Sequence, residues 1–147
     1  MSVSANAEFD INAPASVVME VLLDIDSLPD WSSAHKSAEV LSTHDDGTPD
    51  RVKVAVGMMG INDEQELEYT WTDESCAWNL ISSSQLAQQT GKYTVTAKSD
   101  DVAHVVFELE IDLKIKLPGL LIKRGQKAAV ETAKKGLTAE AEKRAKA

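Results

Sequence analysis

Three histidines, one cysteine and a run of alternating glutamates are the residues of this 147-residue chain that most readily turn to catalysis. His35, His44 and His104 are far apart in the expected layout, His44 in a turn and His104 on the outward face of a strand. His35 is the acid–base candidate, because an imidazole titrates near neutrality; a plain exposed loop histidine is the competing reading. Glu64, Glu66 and Glu68 alternate, so they line one outward strand face and cannot converge on a substrate. A single cysteine, Cys76, excludes an internal disulfide and a cysteine-rich metal site, and at a strand start it reads as a small packed residue. The sequence holds no Gly-x-Ser-x-Gly turn, no phosphate-cradling glycine loop and no His/Cys cluster spaced for zinc or a Rieske centre. It therefore calls for no metal and no cofactor, and beyond His35 it assigns no catalytic residue.

A second set of residues suits binding. Tyr69, Trp71, Trp78, Tyr93 and Phe107 share a strand face with Val54, Val56, Met58, Leu67 and Leu109. Buried Tyr and Trp need a partner for their O–H or N–H, which a pocket supplies and a dry core does not. Gln65 and Gln89 have the same parity; they either hydrogen-bond a ligand oxygen or reach solvent from strand ends. Trp31, beside His35, belongs to the junction that would form the mouth of such a pocket. Taken singly, each of these aromatics reads first as an ordinary core residue; it is the set together, opposite a helix face of small residues, that points to a cavity.

These side chains need a scaffold, and the periodicity supplies one. Val3 to Ile11 alternates as a strand, Asn12-Ala13-Pro14 opens a helix over 15–23, and Ser27 to Trp31 forms a second short turn. Asn12 or Ala13 is the expected cap, with Pro14 in the first turn. From His35 onward the period is two: strands are expected over 37–43, 51–58, 64–72, 76–82, 90–98 and 102–117, with an Asp46-Gly47 hairpin signal. Tight turns make neighbouring strands antiparallel. Leu120 to Lys143 is the long helix, spanning roughly 35 Å. Its inward stripe is small, with Gly125, Ala129, Ala133 and Gly136 where a core helix carries leucine. Such a stripe either lies close against its neighbour or leaves a space. Each strand has one apolar face, and only this helix is long enough to cover the sheet, giving an α+β fold.

Composition narrows the function classes. Hydrophobic content of 43% with 27% charge suits a soluble globular chain of one domain. No run reaches the ~20 apolar residues of a membrane span and the N-terminus lacks a secretory pattern, so a cytoplasmic location is expected. The net charge of −9 is unevenly placed. Residues 114–147 hold ten basic and three acidic residues, the preceding 113 five basic and 21 acidic. The acidic body argues against nucleic acid as a partner. The basic helix either complements its own acidic sheet or meets anionic lipid.

The opening Ile11-Asn12-Ala13-Pro14-Ala15-Ser16-Val17-Val18, then Leu22-Leu23-Asp24 and Leu28-Pro29-Asp30-Trp31, resembles the START-like superfamily (SRPBCC, the helix-grip fold). Within it the chain is similar to bacterial polyketide cyclase/dehydrase-like proteins. Asp46-Gly47, Trp78-x-Leu80 and Gly91-x-Tyr93 fall where that family often carries similar residues. The resemblance implies one START-like domain over residues 1–147, with a curved antiparallel seven-stranded sheet wrapped around the C-terminal helix and two short helices after strand 1. It also implies an elongated cavity for a small hydrophobic molecule of lipid, polyketide or isoprenoid type. The expected lining is Trp31, Val54, Val56, Met58, Gln65, Leu67, Tyr69, Trp71, Trp78, Gln89, Tyr93, Phe107, Leu109, Gly125, Ala129 and Ala133. A carrier or sensor is the first reading, a polyketide cyclase/dehydratase the second, and a membrane- or protein-interaction module using the basic helix the third. Fold alone does not choose among them.

Overall fold

Period-two alternation in the sequence becomes seven strands in the computed structural model, which describes residues 2–58 and 61–146. They are β1 (Ser2–Ile11), β2 (His35–Val40), β3 (Arg51–Met58), β4 (Ile61–Thr72), β5 (Ser75–Ser83), β6 (Leu86–Ala97) and β7 (Ala103–Leu113). The last six form an antiparallel meander, and β1 joins its far end by pairing with β7, giving the order β1-β7-β6-β5-β4-β3-β2 in one curved sheet. Gly47, in the β2–β3 connection, has φ +88°, the left-handed geometry that Asp46-Gly47 signals. Asp46 accepts from the Thr48 N–H at 3.0 Å and holds that turn.

Some boundaries differ from the sequence-based ones. β7 stops at Leu113, where its last pairing partner is Leu86, so Ile115 lies outside the sheet and is 41% exposed. β4 begins at Ile61, three residues before Glu64, which brings Asp63 into the inward row. β2 runs from His35 to Val40, so His35 is a strand residue rather than a loop one. Pro14 is itself the cap of α1 (Ala15–Leu23), and its carbonyl accepts the Val17 and Val18 N–H groups at 3.0 and 3.2 Å.

A 3-10 turn (Ile25–Ser27) and the single-turn α2 (Leu28–Trp31) follow α1. The C-terminal helix comprises α3 (Gly119–Glu131), a π-helical turn (Thr132–Gly136) and α4 (Leu137–Ala145). It is not the sheet's sole cover. Val18, Val21 and Leu22 of α1 are buried, so α1 seals one part of the inner face while α4 packs on α1. α3 crosses the edge strand β1, and Gln126 Nε2 donates to the Ser4 carbonyl at 2.7 Å. Among the described residues no helix is long and apolar enough to cross a membrane.

Candidate functional site

Between these covers and the inner sheet face lies a cleft of about 160 Å³, measured as the space open to the centre of a water molecule. An apolar cavity of about 150 Å³ admits a benzene-sized guest. Its floor is built by a row of aromatics across four adjacent strands, which runs on past the cleft at Trp71. Trp71, Tyr69, Trp78, Tyr93 and Phe107 follow one another with ring centroids 5.7, 5.7, 5.7 and 5.0 Å apart. Cross-strand pairing sets this row: Tyr69 faces Trp78, and Tyr93 faces Phe107. Trp78 is opposite Gly91, and a Cβ on Gly91 would fall inside the indole ring. The missing side chain seats the Trp78 ring against the Gly91 backbone.

Not every expected lining residue reaches this wall. Trp31, Val56, Gln65, Leu67, Tyr69, Trp78, Gln89, Tyr93, Phe107, Leu109, Ala129 and Ala133 line the cleft, together with His35. Val54 is 1% exposed in the packed core. Trp71 ends the aromatic row away from the cleft, and its indole N–H donates to the Pro49 carbonyl at 2.7 Å. Gly125 borders a separate recess of about 20 Å³ against Val3 and Ala5. The side chain of Met58 lies outside the described residues. The stripe of small residues thus serves two ends. Ala129 and Ala133 face the cleft, whereas a Cβ on Gly136 would collide with the Trp31 carbonyl, so the helix meets α2 backbone to backbone there.

A polar chain runs along one side of the wall. Trp78 Nε1–H donates to Gln89 Oε1 at 3.0 Å, Gln89 Nε2 to Gln65 Oε1 at 2.9 Å, and Gln65 Nε2 to Asp63 Oδ2 at 3.0 Å. An indole only donates and a carboxylate only accepts, so both amide orientations are fixed by the ends of the chain. Ser83 Oγ also donates to Asp63 Oδ2, and the Ser84 N–H and hydroxyl donate to Oδ1 at 3.2 and 2.8 Å. Burial raises the Asp63 pKa, but the hydrogen bonds from Ser83, Ser84 and Gln65 outweigh it and hold the carboxyl below its usual value. Gln65 and Gln89 are 7% and 9% exposed, so they do not reach bulk solvent.

At the other side, Ser32 Oγ lies 2.7 Å from His35 Nδ1. Burial lowers the His35 pKa to about 4, leaving a neutral imidazole at pH 7. The residue is nevertheless only half-buried, and it lines the cleft. Trp31 Nε1, in the same junction, is buried with no hydrogen-bond partner among the described residues. Burial raises the Tyr69 and Tyr93 phenols above their ordinary range and pushes the Cys76 thiol up to about 12, so all three stay protonated. His44 Nε2 and the Tyr69 carbonyl are 2.7 Å apart in a turn, and His104 bridges Asp10 and Glu8 on the outer face, so neither shares the cleft.

Asp63, Ser32, Gln85 and Thr132 line the cleft without having been singled out in the sequence. Asp63 was findable: it lies two residues before Gln65, and extending the alternation by one step turns it inward. Ser32 and Thr132 carried no periodic signal, because they sit in a junction and in a π-helical turn. Among the described residues no group of three or more His, Cys, Asp or Glu is placed to hold a metal.

The model of a family described as polyketide cyclase / dehydrase and lipid transport matches residues 11–138. No curated protein matches the sequence. Three solved structures share the architecture. A START superfamily protein from Mycobacterium smegmatis has a TM-score of 0.86 at 18% identity, with 95% of this chain and 97% of that one covered. The Zhui aromatase/cyclase of a Streptomyces species has a TM-score of 0.80 at 16% identity, covering 98% and 96%. A Thermus thermophilus protein has a TM-score of 0.80 at 24% identity, covering 96% and 98%. At these identities the likeness is one of fold.

Proposed function

This chain belongs to the polyketide cyclase / dehydrase and lipid transport family, and from that premise we propose that it binds and carries a small hydrophobic molecule between its sheet and C-terminal helix. The observation that carries this reading is the cleft of about 160 Å³, floored by aromatics and roofed by Ala129 and Ala133. A core optimised for packing alone fills such a space, since voids of this size are costly. The direct test is native mass spectrometry after gentle purification, combined with displacement of a neutral environment-sensitive dye. A bound adduct, or dye uptake lost in Ala133→Phe, is expected. A ligand-free mass with no dye uptake by the wild type would sink the reading.

One observation favours a cyclase or dehydratase instead: the neutral His35, paired with Ser32, faces the space a substrate would fill. A pKa of about 4 makes it a weak base at pH 7, where general bases work best near the operating pH. That ranks catalysis behind carriage. If His35→Ala leaves turnover of every candidate polyketide unchanged, the residue has no catalytic role.

We also propose peripheral contact with an anionic membrane through the segment that leads into α3. Leu120 is 62% and Ile115 41% exposed, and Lys114, Lys116, Lys123, Arg124 and Lys127 flank them in sequence, all exposed. Apolar side chains flanked by cations suit a bilayer interface.

A further inference from the structure

The polar chain in the cleft wall goes further than an apolar container requires. Resting on the binding reading above, we propose that the cleft selects neutral, oxygen-bearing ring molecules, such as ketones and phenols. Their oxygen is read by the Gln65–Gln89 amide pair, and free carboxylates are rejected.

Three observations converge on this. The first is the fixed polarity of the chain. Trp78 N–H and the Asp63 carboxylate leave Gln89 and Gln65 one orientation each, with each Nε2 using one of its two hydrogens along the chain. The second hydrogens remain for an acceptor in the cleft. The second observation concerns the phenols. Tyr69 and Tyr93 line the same space, and neither hydroxyl bonds to another described residue, yet neither is sealed and unpartnered as Trp31 Nε1 is. Both hydroxyls therefore keep access to the cleft, where they donate to or accept from a ligand oxygen.

The third observation is charge. No lysine or arginine lines the cleft among the described residues, and its histidine is neutral at pH 7. The charged group within the polar chain is Asp63, a carboxylate. A buried ligand carboxylate would meet no countercharge and would face that anion, which is strongly unfavourable away from water. Asp63 is accordingly a positioning residue. Its oxygens are occupied by Ser83, Ser84 and Gln65, and it sets the direction in which the amides point.

Holding strands together is the simpler role for such a chain, and the test separates the two. Wild type and Gln89→Leu are titrated with indane, indanone and indane carboxylate, followed by tryptophan fluorescence and checked by ligand-observed NMR. In the wild type, indanone is expected to bind about tenfold more tightly than indane, the worth of one net hydrogen bond at the upper end. The carboxylate is expected to bind more weakly than either. In Gln89→Leu the preference for indanone over indane should vanish while indane binding persists. A purely structural chain would weaken both neutral probes alike and leave their ratio unchanged, which overturns the proposal. Carboxylate binding as tight as indanone overturns it too, and that comparison needs only the wild type if the variant fails to fold. Absence of binding by all three probes would remove the carrier reading itself, and this proposal with it.

Discussion

At the scale of single residues, His35 shows how a cavity changes chemistry. Its ring is largely surrounded by protein, which disfavours the imidazolium, and it lines the cleft. The linkage follows from the direction of the shift. The pKa falls from 6.5 in the unfolded chain to about 4 in the folded one, so both states are neutral above pH 6.5. Between pH 6.5 and 4 the unfolded chain takes up the proton and the folded one does not, so stability falls as pH falls through that window. At most this costs about 3 kcal/mol, and water in the cleft makes it smaller. His104 works in the opposite sense. Its bonds to Asp10 and Glu8 raise its pKa, so its contribution is present below pH 6.5 and is lost as pH rises through the raised value. Urea denaturation across pH 7 to 4 should therefore show a decline that is shallower in His35→Gln. A profile of equal slope in wild type and variant would mean that His35 is not the group responsible.

Among the elements, the C-terminal helix is where sequence and structure part most usefully. Its length, its small inward stripe and its role as a cover were legible from a 3.6-residue period, and the seven strands and their order from a period of two. Period alone cannot reveal the π-helical turn at Thr132–Gly136, nor the close approach within it of Gly136 to the Trp31 carbonyl, a residue far away in sequence. The same limit hid Ser32 and placed Gly125 on the wrong recess. Alternation reports which face a residue takes, not which neighbour meets that face. Gly136→Ala tests the contact with opposed magnitudes. Helix propensity alone favours Ala by about 1 kcal/mol. The Cβ would press on a backbone carbonyl that cannot swing aside, at a cost of typically 1–3 kcal/mol. Net destabilisation is expected, read as a lower denaturation midpoint at constant slope. Net stabilisation would mean that α2 and the helix do not meet so closely.

On the scale of the whole molecule, the charge split acquires a direction. Ten cations lie from Lys114 onward, and the sequence leaves the basic helix either to complement the acidic sheet or to meet anionic lipid. Among the described residues only Arg144 of these ten pairs with a carboxylate, bridging Asp24 and Glu140. The others are exposed, Lys114 donating to the Ser83 carbonyl at 3.1 Å, and five of them flank the exposed Leu120 and Ile115 in sequence. A chain of net charge −9 is repelled by an anionic bilayer in most orientations, so the proposed contact is expected to be made through that end. Each cation near such a surface is worth about 1 kcal/mol, so Lys123→Gln with Arg124→Gln should weaken binding about thirtyfold. Sedimentation with phosphatidylserine-containing vesicles at low salt is the measurement. Binding should fall as salt shortens the screening length towards about 10 Å at 0.1 M, and Leu120→Ser should weaken it without changing the salt dependence. Binding that ignores anionic lipid content would remove the cations from the account. In that case the basic end serves the solubility of the helix rather than a membrane partner.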